Sequence, residues 1–218
     1  MNPAMFLRIE ELRSLAAERL RREPPGVGDL IARPRGDHDL QEHPVPPFDE
    51  AKARPAAVLV PIVTRPEGAT VLLTQRAAGL AKHAAQISFP GGRIDDTDES
   101  ELHAALREAE EEIGLAAGFV RPLGFLDAYL TGTGYRIVPV VAEVRPGFTL
   151  SLNAHEVDEV FETPLSFLMD PANHQRHARE WQGILRSYYA MPHGDRYIWG
   201  ATAGILKNLY DRLFGERM

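Results

Sequence analysis

SFPGGRIDDTDESELHAALREAEEEIGL, residues Ser88 to Leu115, sets a diglycine turn just before a segment of helical periodicity that carries a dense cluster of carboxylates. At 3.6 residues per turn, Glu108, Glu111 and Glu112 fall on one helix face, where like charges are unfavourable without a counter-ion. A diphosphate is itself polyanionic and repels a nucleophile. Its hydrolysis calls for Mg²⁺ (or Mn²⁺) held by hard oxygen ligands, and Glu108, Glu111 and Glu112 are the candidate metal ligands. Arg107 stands four residues before Glu111 and is placed to brace it. Leu102, Ala105, Leu106, Ala109 and Ile113 form an apolar stripe that predicts burial against a core, leaving Glu110 to a solvated face. Asp98 and Glu101 are spaced as a capping box, and Gly114 suits the residue that closes the helix. Gly91 and Gly92 either let a diphosphate approach backbone N–H groups closely or simply form a tight turn.

REAEEEIGL, 107–115, resembles the ending R-E-U-x-E-E-x-G-U of the Nudix box, with Ala109 as a small substitute for the bulky apolar U. The box places G-x5-E-x7 before its arginine, whereas fourteen residues separate Gly92 from Arg107 here, one more than the pattern. Counting back from Arg107 puts Glu99 at the first glutamate of the box; counting forward from Gly92 puts Asp98 there. The resemblance implies a mixed-sheet α/β/α sandwich, a divalent metal and hydrolysis of a nucleoside diphosphate linked to a further group. Family members differ in the residue that takes the proton from the attacking water. Glu111 and Glu112 are candidates within the box, and Glu156 and Glu159, in HEVDEVFE (155–162), are candidates from the opposite side.

Upstream, LLTQRAAGLAKHAAQISFPGG (72–92) is similar to the motif L-L-T-x-R-[SA]-x3-R-x3-G-x3-F-P-G-G of the coenzyme A pyrophosphatase branch. Leu72, Leu73, Thr74, Arg76, Ala77, Phe89, Pro90, Gly91 and Gly92 match it. Ala81 stands where the motif has its second arginine and Ala85 where it has an isolated glycine. Loss of that arginine removes a planar fork suited to phosphate, and Lys82 and His83 lie beside the gap as possible replacements. Arg76, Lys82, His83, Gly91 and Gly92 are the candidate substrate contacts, with a surface salt bridge as the plainer role for Arg76. The implied substrate is coenzyme A or an acyl derivative. The rivals are another dinucleotide or a nucleotide sugar such as NADH or ADP-ribose, and a non-catalytic nucleotide-binding protein, which the intact glutamate set argues against. Trp199, in YIWGATA, resembles a C-terminal segment of the family, and core packing explains it as well as base stacking does.

The chain has 218 residues, 44% of them hydrophobic, enough for one domain with an extension. Its net charge of −7 argues against a nucleic-acid-coating protein. No cysteine is present, which removes disulfides and thiolate chemistry and fits a reducing cytoplasm. No apolar run approaches a membrane span, and no secretory leader is apparent. Residues 1–54 read as an amphipathic helix, with Phe6, Ile9, Leu12, Ala16 and Leu20 on one face, and a connector rich in proline and glycine. Residues 55–218 read as the hydrolase domain. So narrow an apolar face cannot fold alone, and a partner subunit in a homodimer is its expected docking surface. AAVLVPIVTR and ATVLLTQR read as strands joined at Pro66-Glu67-Gly68. WQGILRSYYAMP and RYIWG read as a hairpin, and ATAGILKNLYDRLF as a closing helix.

Overall fold

The computed structural model describes residues 9–26, 35–36, 39–40, 52–80, 84–181 and 184–215. Phe6, Ala81, Lys82 and His83 lie outside the described residues. The described elements, in chain order, are α1 (Ile9–Arg19), β1 (Arg35–Gly36), β2 (Arg54–Val63), β3 (Thr70–Arg76), β4 (Ile87–Ser88), β5 (Gly91–Arg93), α2 (Glu101–Ile113), β6 (Val120–Phe125), β7 (Tyr129–Leu130), β8 (Tyr135–Val144), β9 (Val157–Pro164), α3 (Leu165–Leu168), β10 (Gln175–Trp181), β11 (Ile184–His193), β12 (Arg196–Trp199) and α4 (Ala201–Phe214).

β2 and β8 form the spine of a mixed sheet. They run parallel over their whole length, from Arg54 opposite Tyr135 to Val63 opposite Val144. β3 returns antiparallel to β2 after the expected turn, where the Gly68 N–H donates to the Arg65 carbonyl, and β9 lies antiparallel on its far side. A strand buried on both faces reads as a continuous apolar run rather than an alternating one, which is why VLVPIV and TVLLT carry no polar face. Successive side chains still point to opposite sides. Leu59, Leu72, Val140 and Ala142 pack against Ala104, Ala105, Ala109 and Ile113 of α2. Val60, Ile62, Val71, Leu73 and Val141 face Leu206, Leu209 and Leu213 of α4, together with Met191 and Ile198 of the small β10–β11–β12 sheet. The result is a mixed α/β architecture with the carboxylate helix on one side of the sheet and the closing helix on the other.

The N-terminal helix departs from expectation. Leu12 and Ala16 are each 1% exposed and Leu20 is 7% exposed, all within the core that α4 completes, so α1 is covered by its own chain and not by a partner subunit. Polar contacts explain why this docking wins. Arg13 reaches Glu143 of β8 with two hydrogen bonds of 2.8 and 2.7 Å, Arg21 and Phe125 exchange backbone hydrogen bonds, and the Arg19 Nη1 donates to the Gly215 carbonyl. The connector also contributes structure: β1 pairs parallel with β7. No helix among the described residues is long and apolar enough to cross a membrane.

Candidate active site

α2 starts at Ser100, whose Oγ accepts the His103 N–H at 3.1 Å, and ends at Gly114 with φ 69°, a left-handed conformation that glycine adopts without steric cost. The expected capping box of Asp98 and Glu101 is thus replaced by a serine cap. Asp98 has another partner. It accepts Arg107 Nε at 3.0 Å and Nη2 at 2.8 Å and its side chain is shielded from solvent, so Asp98, and not Glu99, occupies the position paired with the arginine of the box. The extra residue is absorbed in the turn between the glycines and the cap, where the Asp95 N–H donates to Asp98. Hydrogen bonding from Arg107 holds the Asp98 carboxyl well below the usual carboxylate range, and the same contact raises Arg107.

Nη1 of Arg107 meets Glu108 Oε1 at 3.1 Å and Glu111 Oε2 at 3.0 Å. Glu111 is largely exposed, so its pair contributes a few tenths of a kcal/mol, about 0.3–0.5, and the buried Asp98 contact dominates what holds Arg107 in place. Glu112 is buried at 3% exposure, with Oε2 accepting the Gly91 N–H at 3.0 Å and Oε1 lying 3.6 Å from Nη1 of Arg76. Burial pushes its carboxyl up to about 7, against the pull of Gly91 and Arg76 and with the push of Glu108 and Glu156. Burial raises Glu108 as well. Glu110 is exposed, as expected.

The two glycines do different work. A Cβ at Gly91 would meet the Ala57 carbonyl at 2.5 Å and the Val58 Cα at 2.6 Å, and its φ of 151° suits glycine alone. Its N–H is taken by Glu112 rather than left open for a phosphate. A Cβ at Gly92 would lie 2.6 Å from the Glu108 carboxylate, so the missing side chain is the space that carboxylate occupies. Arg76 sits where the β3–β9 pairing shifts register after Gln75, a bulge that re-aims the strand end. It lies against Glu112, close to its plainer salt-bridge role. Glu156 is brought near: the Asn153 Nδ2 donates to its Oε1, its carbonyl accepts the Ala77 N–H, and its charge reaches Glu108 and Glu112. Glu159 is not. It lies opposite Gln75 and is held by Arg196 at 2.8 and 2.5 Å, while Arg196 stacks over Phe161, a residue packed against the core on the α4 side.

Glu108, Glu111 and Glu112 therefore share one helix face, with six hard oxygens that match a divalent cation in donor chemistry. Among the described residues, no three acidic or histidine side chains converge on one point, because these carboxylates are turned onto Arg107, Arg76 and the Gly91 N–H. Glu108 and Glu112, two carboxylates raised by burial, offer hard oxygen donors that suit a divalent cation. Trp199 packs edge-on against Tyr188 and tilts against Tyr197 on the small sheet.

α2 thus lies against a mixed sheet whose β5 carries Gly91 and Gly92, a paired strand rather than the tight turn expected from the sequence. The NUDIX domain model matches residues 53–182, and the chain belongs to that family: it is a Nudix hydrolase, an enzyme of the pyrophosphatase kind. An uncharacterized Nudix hydrolase, NudL, of Escherichia coli O7:K1 is 41% identical over 156 residues, spanning 72% of this chain and 81% of its own. The NudL of Escherichia coli K12 is 40% identical over the same extents. Among solved structures, a C. elegans Ap4A hydrolase binary complex aligns over 50% of this chain and 80% of its own, with 22% identity and a TM-score of 0.44.

Proposed function

We propose that the enzyme cleaves the diphosphate of a nucleoside diphosphate linked to a further group, with coenzyme A or an acyl derivative as substrate, giving adenosine 3′,5′-bisphosphate and the corresponding 4′-phosphopantetheine. The observation that carries the reading is the Glu108, Glu111 and Glu112 face beside Gly91 and Gly92 of β5, joined to the matched motif positions on β3 and between β4 and β5. A divalent cation, Mg²⁺ or Mn²⁺, would neutralise the diphosphate oxygens and make a water nucleophilic near neutral pH. Arg107 keeps Glu108 and Glu111 on the substrate side of α2, and its anchor on Asp98 fixes that direction. Glu112, titrating near 7 beside Glu108, is suited to accept the proton of the attacking water, with Glu156 as the neighbouring alternative. Arg76 is the cation best placed to turn from Glu112 to a phosphate oxygen, since an ion pair at 3.6 Å is longer than a hydrogen bond.

Ala85, one of the two departures from the branch motif, has φ 57° and so occupies a left-handed backbone position. Its N–H donates to the Arg76 carbonyl. The motif's glycine at this position thus has a conformational reason, and Ala85 says nothing about substrate choice. Ala81 remains the one specific feature favouring a different dinucleotide. Product identification with coenzyme A, 3′-dephospho-coenzyme A, NADH, ADP-ribose and diadenosine polyphosphates decides between them. Highest kcat/KM for coenzyme A, with adenosine 3′,5′-bisphosphate released, is the expected result, and a higher value for another substrate overturns it.

A further inference from the structure

β10 is an edge strand: among the described residues it pairs only with β11. Residues 175–180 are all exposed, and the strand contains no proline and no bulge to discourage a neighbour. An edge of this length offers unpaired N–H and C=O groups, which proteins ordinarily cover or blunt. Two of its three charges are disposed symmetrically, while the third, Arg179, has His177 as its mate about the same centre. In QRHAREW, 175–181, Arg176 and Glu180 lie two residues either side of Ala178.

We propose that β10 pairs antiparallel with β10 of a second copy of the chain about a two-fold axis at Ala178, joining the two three-stranded sheets into one. All seven residues of the strand are paired in this register, and Arg176 stands opposite Glu180 of the partner subunit twice over. Sliding the strands by one residue in one direction sets Arg176 against Arg179 twice, which like-charge repulsion disfavours. Sliding them in the other sets Arg176 against Trp181 and leaves its charge unmatched. Alternation along the strand puts Arg176 and Glu180 on the same face, across from Tyr189 and Leu185 of β11. Among the described residues neither Arg176 nor Glu180 makes an ion pair within its own chain, so each has a charge to offer. β11 and β12 anchor the edge firmly through Met191 and Ile198, both in the core.

Sedimentation of the full chain over a concentration series, with thermal melts to verify folding, tests the pairing independently of the substrate. The wild type is a dimer. Arg176→Glu and Glu180→Arg each place like charges opposite one another and raise the dimer dissociation constant at least ~10-fold. The double variant R176E/E180R reinstates both pairs with the signs exchanged and returns the dissociation constant to near the wild-type value. A wild type that sediments as a monomer throughout, a dimer indifferent to both single changes, or a double variant no tighter than the singles overturns the proposal.

Discussion

Arg107 clasps Asp98 with two nitrogens while its third nitrogen serves both Glu108 and Glu111, so one guanidinium ties the loop before α2 to the carboxylates on it. Removing the buried half of that clasp leaves Arg107 its contacts to Glu108 and Glu111 but takes away the one that fixes its direction. Asp98→Asn is expected to cost about 1–3 kcal/mol at pH 7 and to lower kcat, whereas Glu99→Gln leaves both unchanged. Because the Asp98 carboxyl is held below its ordinary value, its stabilisation is complete above about pH 4 and fades as pH falls further, so the two proteins converge in acid. Denaturant melts at several pH values measure this. Equal stability of the two at pH 7 would refute it.

Glu112 titrates the other way. Its carboxyl is raised to about 7, so the folded state binds more protons than the unfolded chain between the ordinary glutamate value and 7, and metal-free wild type loses stability as pH rises through that window. In chelator at pH 8, Glu112→Gln should therefore be more stable than wild type by about 1–3 kcal/mol, with no advantage below about pH 4.5. The same substitution should lower kcat at least ~10²-fold in Mg²⁺. Calorimetric Mg²⁺ binding by wild type should weaken about tenfold per pH unit below 7. A flat pH dependence of both stability and metal binding would contradict the assignment.

Ala85→Gly should stabilise the fold by up to about 1 kcal/mol, since it relieves a left-handed alanine at the expense of some unfolded-state entropy. kcat/KM for coenzyme A should stay within about twofold if the glycine of the motif is conformational. A large kinetic change with no change in melting temperature would make position 85 a substrate contact instead.

Leu12→Ala should destabilise the catalytic domain by about 2–5 kcal/mol, because Leu12 is buried in the same core as β2, β3 and α4. A single cooperative transition shifted to lower temperature is expected. An unchanged melt of the catalytic core alongside a separate early loss of helix would show that α1 folds as an appendage.

The sheet and the carboxylate helix were legible because their signals are local: apolar runs of strand length, a turn at Gly68, and an apolar stripe ending at Gly114. The arginine partner was ambiguous by one residue, since spacing alone cannot say where a turn absorbs an insertion, and only the geometry of Asp98 resolves it. Glu159 looked equivalent to Glu156 in sequence, but Glu156 lies in the turn before β9 and Glu159 within the strand opposite Gln75, and Arg196 lay too far along the chain to be seen as its partner. The docking of α1 was hidden for the same reason. Its decisive contacts join residues more than a hundred positions apart, and a moderate amphipathic pattern names no acceptor. Asp127 did leave a trace, as a lone acid in the apolar stretch LGFLDAYL. That signal marks a buried ion-pair centre, which the structure fills with Arg21, Arg35, Arg212 and Asn208.

Asp127 sets an order of events in the making of the protein. Its arginines come from the segment after α1, from β1 and from α4, and the bond from Arg19 to Gly215 joins positions 196 residues apart. During synthesis α1 leaves the ribosome long before α4 exists, and at roughly 5–20 residues per second it waits on the order of ten seconds or more with Leu12, Ala16 and Leu20 uncovered. The mixed sheet can assemble in that interval, but its face toward α4 stays open until the last helix arrives. Chains that terminate before α4 should thus be favoured substrates for chaperones and proteases, even though every residue of the carboxylate helix has already been made.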